Sequence, residues 1–510
     1  MTEVIVKYNG NISALGFQTE ILNENYAILT LPESEIPALD TFTEIEYYEL
    51  PKALALASLQ AFDAACIPFV HSQRGYALRG AGTLVAIIDS GIDYRHRDFL
   101  TPSGTTRIAY IWDQTINGTP PDGFLHGAEF TQEQINQALA DQVPLPTADT
   151  IGHGTAVAGI AGGSETGVAP ACSFIVVKLG ERANAHFVRT TEIMRAIKYV
   201  YDKAQDRNLP LAVNISYGTN SGAHDGNSLF EGYIDAMAEK WRSVIVVASG
   251  NEGRAGHHFS YKIKQGETIS VPFTVSANLS ELPLTFWKNF TDDFALEILA
   301  PNGLPAGRAA RITHNQPTHY NQNNEILIML YRPTQGTWTL KITGTKIVDG
   351  SFDIWLPTIE EVSDKTAFLN PSPNTTLTLP STARKVITVG AYDSMTGAIA
   401  TFSGRGYTRD NVYVKPDLVA PGVNIRSSRT GGGYDNFTGT SMAAPFVTGS
   451  AAIMMEWGIV QGNDSFLYGQ RVKSFLQKGA NRRPEIVYPN NIWGYGTLCL
   501  KNTMDLLGGL

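Results

Sequence analysis

Cysteine is scarce in this 510-residue chain, which has only Cys66, Cys172 and Cys499. The three residues are odd in number and lie far apart, and they form neither a C-x-x-C pair nor a spacing that suits a metal ion. This spacing argues against a cysteine-ligated metal site. The pattern predicts buried or incidental thiols in a reducing compartment.

Basic charge and long apolar runs are also lacking. The chain has 39 Lys and Arg against 48 Asp and Glu, a net charge of −9, which together with the absence of a basic run argues against nucleic acid as a partner. Nowhere do about 18 apolar residues follow one another, so we expect no membrane-spanning helix. The first residues, MTEVIVKY, lack a basic region followed by an apolar one, and no secretion signal is visible.

The composition that remains is that of a globular protein, with 43% hydrophobic and 17% charged residues and with 48 glycines. The length allows roughly two to four domains and a large buried core. The first 60 residues predict a small α+β unit with strands over 4–8, 26–31 and 44–50 and helices over 34–39 and 52–65. This unit is interpretable as a structural domain or, if the remainder is a protease, as a propeptide.

From residue 80 the pattern changes to an alternation of apolar strands and helices. Residues 83–88 form a continuous apolar run, typical of a strand that is buried on both faces. Further strands and helices follow over 173–179, 190–205, 211–216, 229–242 and 244–248, and the alternation resumes at 385. Repeated units of this kind predict an α/β fold with a doubly wound parallel sheet.

Between residues 254 and 380 the alternation stops. Short apolar stretches separated by Gly, Pro and Asn turns predict an inserted β-sandwich of the jelly-roll type. The predicted domains are therefore 1–60, 61–253, 254–380 and 381–510, of which the second and the fourth are two parts of one α/β domain.

Four polar residues stand where functional groups are favoured. Asp89 ends the apolar strand, and Asn251 follows the strand over 244–248. His153 lies between two glycines, and Ser441 opens an apolar helix. Each also has an ordinary interpretation: Asp89 and Asn251 as turn formers, His153 as a structural histidine and Ser441 as a helix cap.

The helix that Ser441 opens is predicted to run to about Trp457. Pro445 is expected in its first turn, where a missing N–H costs little. A serine at such a helix start lies beside unpaired backbone N–H groups, which can stabilise a developing oxyanion.

Asp93, His96 and Asp98 follow Asp89 closely. A metal site is conceivable there, but the favoured interpretation is a solvated loop. No motif indicates a required cofactor, and calcium binding is compatible with the sequence without being indicated by a clear motif.

Together, Asp89, His153 and Ser441 offer the groups of an activated serine. Serine is a weak nucleophile until a base removes its proton, which His153 can do. A buried carboxylate such as Asp89 can select the imidazole tautomer and stabilise the imidazolium. The order Asp, His, Ser is one of the known orders for this geometry. The Asn251 amide and the Ser441 backbone N–H would form the oxyanion hole.

These motifs resemble those of the subtilisin-type serine proteases. The segment VAIIDSGID is similar to the family's aspartate motif, GHGTAVAG to its histidine motif, GTSMAAP to its serine motif and ASGNEG to the block with the oxyanion asparagine. The segments GVAP and DLVAPG match further landmarks. The resemblance covers roughly residues 76–253 and 381–505 and departs from the family at Ala156, where many relatives carry a second histidine. It implies a subtilisin-like fold and a serine endopeptidase that acts on protein or peptide substrates.

The resemblance also implies where substrate binds. One wall of the cleft, which pairs with the substrate backbone as an added strand, would be formed by Ser216, Tyr217 and Gly218. The opposite wall of the pocket for the residue before the cleaved bond would be formed by Ala248, Ser249 and Gly250.

More narrowly, the chain resembles the Csp germination proteases of clostridial spores in its N-terminal unit, the segment IWDQT, residues 218–226 and the inserted sandwich. In that group the enzyme cuts off its own prodomain, which can stay bound as a partner, and the substrate is the precursor of a cortex-degrading enzyme. The resemblance implies self-cleavage, and the change from a predicted strand to a predicted helix places the cut between Leu50 and Ile67. Since no secretion signal is visible, we expect a cytoplasmic or spore-associated location.

Two other functions stay open at this point. Some Csp proteases have lost triad residues and act as silent pseudoproteases or binding scaffolds, whereas this sequence keeps all three. An esterase or lipase could use the same triad, but such enzymes usually place the serine first in a G-x-S-x-G turn, which is absent.

Overall fold

The computed structural model describes residues 2–51, 57–72, 75–180, 188–276, 278–314 and 323–509. The chain forms two compact units, residues 1–56 and residues 57–510. The helix predicted over 52–65 is seen from Ala57 to Ala64, and residues 52–56 lie outside the described part.

The N-terminal unit is an antiparallel sheet with one buried face. In the spatial order β2-β3-β1-β4, its strands are β1 (Thr2–Tyr8), β2 (Gln18–Ile21), β3 (Tyr26–Leu31) and β4 (Ile45–Glu49). Val4 and Val6 alternate with less buried neighbours and form a core with Leu29 of β3. The helix predicted over 34–39 is a 3-10 helix, Glu33–Thr41, and Pro37 inside it lacks the N–H that a helical hydrogen bond needs.

Among the described residues, the second unit begins with the first six strands of its main sheet and with six α-helices. The strands are β5 (Leu84–Asp89), β6 (Ile108–Asp113), β7 (Ala128–Thr131), β8 (Ser173–Lys178), β9 (Leu211–Ile215) and β10 (Ser243–Ala248). The helices are α1 (Ala57–Ala64), α2 (Ile67–His71), α3 (Gln132–Asp141), α4 (His153–Gly162), α5 (Thr190–Arg207) and α6 (Leu229–Ala238).

Two antiparallel sheets follow and enclose a core of their own. The strands are β11 (His258–Lys262), β12 (Thr268–Val275), β13 (Glu281–Asn289), β14 (Asp293–Leu299), β15 (Ala310–His314), β16 (Asn323–Tyr331), β17 (Gly336–Lys346) and β18 (Ser351–Trp355). Their spatial orders are β11-β18-β13-β16-β15 and β12-β17-β14. Alternate residues such as Leu282, Leu284 and Phe286 point into this core, as the predicted β-sandwich requires.

The chain then returns to the main sheet through a short helix, α7 (Ile359–Val362). The remaining strands are β19 (Ile387–Tyr392), β20 (Leu418–Pro421), β21 (Ile425–Ser428) and β22 (Tyr434–Phe437). The remaining helices are α8 (Thr440–Met455), α9 (Gly469–Gly479) and α10 (Leu500–Gly508). A π-helical turn, Glu456–Val460, prolongs α8 beyond Trp457.

The main sheet has the strand order β20-β19-β10-β9-β5-β8-β6-β7, and its described pairs are parallel except β6 with β7. Every residue of β5 is buried. Val85 and Ile87 join a core with α4 and α8, whereas Ala86 and Ile88 join a second core with α5 and α6. A central strand covered by helices on both faces confirms the predicted doubly wound α/β fold.

The prediction that all three cysteines are thiols is wrong for two of them, and the reducing compartment inferred from it loses that support. Cys66 and Cys499 form a disulfide between the residues that precede α2 and α10. They are 433 residues apart, and the docking of α2 against α10 brings them together. Cys172 is free and buried, as predicted, and burial raises the pKa of its thiol to about 11.

The interpretation of Asp93, His96 and Asp98 as a solvated loop is also wrong, because His96 and Asp98 are buried. The Asp98 carboxylate accepts hydrogen bonds from Ser428 Oγ at 2.7 Å and from Thr166 Oγ1 at 2.9 Å. Within the described residues, no group of three or more His, Cys, Asp or Glu side chains is arranged to hold a metal ion. These residues therefore fasten the loop after β5 to its surroundings.

The stretch Thr440–Val460 is long and apolar enough to cross a membrane by length and composition alone. However, 83% of its most apolar part is buried inside the protein. Since α8 packs against α4, β9, β10 and β19, this stretch is a core helix of the α/β fold.

Candidate active site

Asp89 and His153 form a hydrogen-bonded pair at the end of β5. Asp89 is completely buried, and its Oδ1 lies 2.7 Å from Nδ1 of His153, the first residue of α4. The His153 side chain is 32% exposed, so the ring extends from the buried carboxylate to solvent. With its proton held on Nδ1 by the carboxylate, the neutral ring has an unprotonated Nε2 that can accept a proton.

The surroundings of His153 raise its pKa above the ordinary value of 6.5. Burial lowers this pKa, but the charge and the hydrogen bond of Asp89 raise it, and the carboxylates of Asp149 and Glu360 add to the increase. Burial is the largest single influence on this pKa, but the carboxylates acting together outweigh it. His153 is therefore a stronger base than a free histidine and gains a proton at a higher pH.

Asp149, whose role the sequence analysis missed, organises the loop that carries His153. Its Oδ1 accepts hydrogen bonds from the Gly152 N–H at 2.8 Å and the Ser90 hydroxyl at 2.9 Å. Its Oδ2 accepts from the N–H of Thr155 at 2.9 Å and the Thr155 hydroxyl at 2.7 Å. A carboxylate at the start of α4 thus satisfies N–H groups that the helix leaves unpaired.

The glycine after His153 allows α4 to approach β5 closely. A Cβ built on Gly154 would overlap the carbonyl oxygen of Gly91. The Gly154 N–H donates to Ser90 Oγ at 2.9 Å, which links the residue after His153 to the residue after Asp89. Backbone contact between the two motifs therefore supports the Asp89–His153 hydrogen bond.

Ser441 is the second residue of α8, which begins at Thr440. The backbone N–H at this position has no acceptor within the helix. Ser441 and His153 line the same cavity, of about 470 Å³. Within the described residues no hydrogen bond joins the Ser441 hydroxyl to the His153 ring, and a looser spacing of this pair is common in unliganded enzymes.

The prediction that Pro445 lies in the first turn is wrong, because the helix starts early enough to place it in the second turn. A residue with an N–H at 445 would donate to the carbonyl oxygen of Ser441, which proline leaves without that partner. The hydroxyl of Ser216 donates to this oxygen instead, at 3.4 Å. The backbone of Ser441 is thereby connected to the predicted substrate-binding wall.

Asn251 follows β10 and faces the start of α8. Its Oδ1 accepts hydrogen bonds from the N–H of Thr440 at 3.1 Å and from the Thr440 hydroxyl at 3.0 Å. This double contact determines which end of the amide is the oxygen. The Nδ2 group is consequently the end that can donate into the cavity, and it lies 3.2 Å from Glu360 Oε1.

Residues of both predicted walls line the cavity, with the exception of Ser249. The wall residues that line it are Ser216, Tyr217, Gly218, Ala248 and Gly250. Ser249 does not line it: its backbone N–H donates to the Val389 oxygen at 3.0 Å, and its buried hydroxyl has no partner among the described residues.

Thr378, which the sequence analysis did not identify, lies between the two walls. A Cβ built on Gly218 or on Gly250 would overlap the Thr378 side chain. The Thr378 N–H donates to the Ser249 oxygen at 3.2 Å, and the next residue, Leu379, pairs with Thr219. The segment that follows the sandwich thus closes the pocket between the walls. Glycine is needed at positions 218 and 250 because a Cβ atom there would overlap Thr378.

The Subtilase family model matches residues 80–345 and 365–496, and the model of the Csp protease B prodomain matches residues 1–52. The solved structure of the Clostridium perfringens CspB protease is 36% identical and covers 88% of this chain and 99% of its own, with a TM-score of 0.80. The PIII-type proteinase of Lactococcus lactis subsp. cremoris (strain SK11) is 25% identical over 86% of this chain, which spans 25% of that proteinase.

The serine protease AprX of Bacillus subtilis (strain 168) is 35% identical over 158 residues, which are 26% of this chain and 33% of AprX. The chain therefore spans a quarter to a third of the length of these two curated relatives, but nearly the whole of the CspB chain. The family model covers most of the second unit, and the same region has the parallel sheet and the Asp89–His153 pair. The chain belongs to the subtilase family of serine proteases and carries the prodomain of the Csp proteases at its N-terminus.

Proposed function

We propose that the protein is a Csp-like endopeptidase in which Ser441 is the nucleophile, His153 the base and Asp89 the partner of the base. The proposal rests above all on the 2.7 Å hydrogen bond between His153 Nδ1 and Asp89 Oδ1, at a cavity that Ser441 also lines. This contact leaves His153 Nε2 free to accept the proton of the nucleophile.

In the proposed mechanism the Ser441 hydroxyl attacks the carbonyl carbon of the scissile peptide while its proton moves to His153 Nε2. The carbonyl oxygen becomes an oxyanion and receives hydrogen bonds from Asn251 Nδ2 and the Ser441 N–H. His153 then gives its proton to the leaving amine, and the C–N bond breaks. Water, deprotonated by the same histidine, attacks the acyl-enzyme, and His153 gives that proton to the Ser441 oxygen as the ester bond breaks. Side chains and backbone carry every step, and no cofactor is required.

The substrate wall in this proposal is the segment of Ser216, Tyr217 and Gly218. It follows directly after β9 ends at Ile215 and belongs to no strand. An extended peptide can therefore be added beside it through main-chain hydrogen bonds. The pocket closed by Thr378 would receive the side chain before the cleaved bond.

The proposed physiological substrate is the precursor of a spore cortex-degrading enzyme, and the proposed location is cytoplasmic or spore-associated. This assignment is supported by the 36% identity to the CspB protease over nearly all of that chain and by the matching prodomain. We also propose that the enzyme cleaves its own chain between Leu50 and Ile67, next to the prodomain match that ends at residue 52.

Incubation with a purified cortex-hydrolase precursor tests the physiological assignment. We expect the protein to cut the precursor at one site and to release active hydrolase, whereas a Ser441→Ala sample should leave the precursor whole. Product masses and cortex-degrading activity are the measurements. If the precursor stays intact while an unrelated denatured protein is digested, the protease assignment stands and the germination role is wrong.

The oxyanion role of Asn251 predicts a loss in turnover. Asn251→Ala is expected to lower kcat by about 100- to 1,000-fold with little change in KM, because the donor acts mainly on the charged transition state. Hydrolysis of a short chromogenic peptide provides both constants. An unchanged kcat would remove Asn251 from the oxyanion hole.

A further inference from the structure

A carboxylate that the sequence analysis did not single out lies at the proposed oxyanion hole. Glu360 is the second residue of α7, on the segment that leads from the last sandwich strand back to the main sheet. Its Oε1 accepts a hydrogen bond from Asn251 Nδ2 at 3.2 Å, and it lines the same cavity as His153 and Ser441.

The fold holds α7 in this place through the residue next to Asn251. The N–H of Ile359 donates to Glu252 Oε1 at 2.8 Å. Glu252 is buried, and its Oε2 also contacts Asn220 Nδ2 at 3.1 Å and His257 Nδ1 at 2.6 Å. A buried hydrogen-bond network therefore fixes Ile359, the residue before Glu360, whose own side chain is exposed and contacts Asn251.

This placement conflicts with the proposed chemistry. Asn251 can turn only its Nδ2 towards the cavity, because Thr440 holds its Oδ1. A carboxylate on Nδ2 uses one of its two N–H donors and repels the negative oxygen that forms beside it. Glu360 also favours the protonated form of His153, but Asp89 has the larger effect on that pKa. Since charge interactions weaken with distance, repulsion at the directly contacted donor is expected to dominate.

We propose that Glu360 is a positioning residue that restrains the oxyanion hole: it holds the Asn251 amide in the resting enzyme, and substrate has to displace it before turnover. The inference rests on the oxyanion role proposed for Asn251. The inserted sandwich thereby reaches the catalytic centre, because β18 runs almost directly into α7 and Glu360.

Neutralising Glu360 is the test. Glu360→Gln is expected to raise kcat on an uncharged peptide about two- to fivefold, the range of an exposed charge interaction, with a smaller change in KM. The carboxylates that raise the pKa of His153 are Asp89, Asp149 and Glu360. Removing the charge of Glu360 should lower the pKa of His153. The acid limb of kcat/KM should therefore move to lower pH.

The neighbouring glutamate offers a matched control. Glu361 accepts hydrogen bonds from the Thr358 N–H at 2.9 Å and from the Thr358 hydroxyl at 3.1 Å, which caps α7. Glu361→Gln removes the same charge one residue along the chain and keeps a side chain that can form this cap. Its kcat is expected to equal that of the wild type.

A double-mutant cycle decides whether Glu360 acts through Asn251. In an Asn251→Ala background, Glu360→Gln should give a clearly smaller gain in kcat than in the wild type, because the donor it restrains is gone and only the direct repulsion of the oxyanion remains. The inference is overturned if Glu360→Gln leaves kcat unchanged or lowers it, if Glu361→Gln raises kcat equally, or if the full gain persists without Asn251. A normal kcat for Asn251→Ala alone would instead contradict the oxyanion assignment.

Discussion

Ser441→Ala is expected to reduce peptide hydrolysis by about a millionfold, the effect of removing the nucleophile of a serine protease. The fold should be retained, because Ser441 is a buried helix residue whose hydroxyl makes no hydrogen bond within the described residues and alanine is a good helix former. The same substitution should stop cleavage of the chain's own N-terminal unit.

Intact mass, measured beside kcat for wild type and variant, checks both effects. The wild type should separate into two pieces and the variant should stay whole, with equal melting temperatures as the control for folding. Hydrolysis by the variant at the wild-type rate would mean that another residue is the nucleophile. A whole wild type that still hydrolyses peptides would contradict only the self-cleavage.

The disulfide makes the cleavage position visible in this measurement. Cys66 is bonded to Cys499, so a cut before residue 66 frees the N-terminal piece even without a reducing agent. A cut after residue 66 would leave that piece covalently attached until the disulfide is reduced. Comparing the masses before and after reduction therefore places the cut on one side of Cys66.

The α/β fold was predictable because its strongest signals are local. A strand buried on both faces is apolar along its whole length, and β5 is such a strand. The sandwich strands alternate instead, since one face of each sheet meets the core and the other meets solvent. The candidate catalytic residues were predictable for a related reason, because each stands at the end of such a strand or the start of an apolar helix.

The supporting contacts were not predictable, because they depend on which distant segments meet. Thr378 and Glu360 reach the cavity from the return of the inserted sandwich, more than a hundred residues after Gly218, Gly250 and Asn251, which they contact. Asp149 was visible four residues before His153, and its position at a helix start was the signal that could have revealed its role. Cys66 and Cys499 carried no such signal.

The inserted sandwich is connected to the active site by the segment that follows its last strand. Its core is separate from the two cores of the main sheet. However, the segment that follows β18 supplies both Glu360 beside Asn251 and Thr378 between the two walls. Substitutions in the last sandwich strand are therefore expected to change turnover by shifting Glu360 and Thr378. No contact between the substrate and the sandwich core is needed for this effect.

Asp89→Ala is expected to lower kcat by about 10⁴-fold, since it removes both the acceptor for His153 Nδ1–H and the charge that stabilises the imidazolium. Asp89 is the largest of the causes that raise the pKa of His153, whereas burial of the ring lowers it. Without the carboxylate this pKa should fall, so the acid limb of kcat/KM should move to lower pH although the rate is lower throughout.

Asp89→Asn separates the two contributions of this carboxylate. Asp89 Oδ1 accepts from both the Ser90 N–H and His153 Nδ1, at 2.7 Å each, while Oδ2 is buried and has no partner among the described residues. The Ser90 N–H therefore favours the orientation in which the asparagine oxygen occupies the Oδ1 position, and the histidine tautomer is kept while the charge is lost. We expect Asp89→Asn to retain more activity than Asp89→Ala, with the pKa of His153 lowered in both. Equal losses in the two variants would mean that Asp89 contributes its charge and not tautomer selection. A rate for Asp89→Ala within tenfold of the wild type would remove Asp89 from the mechanism.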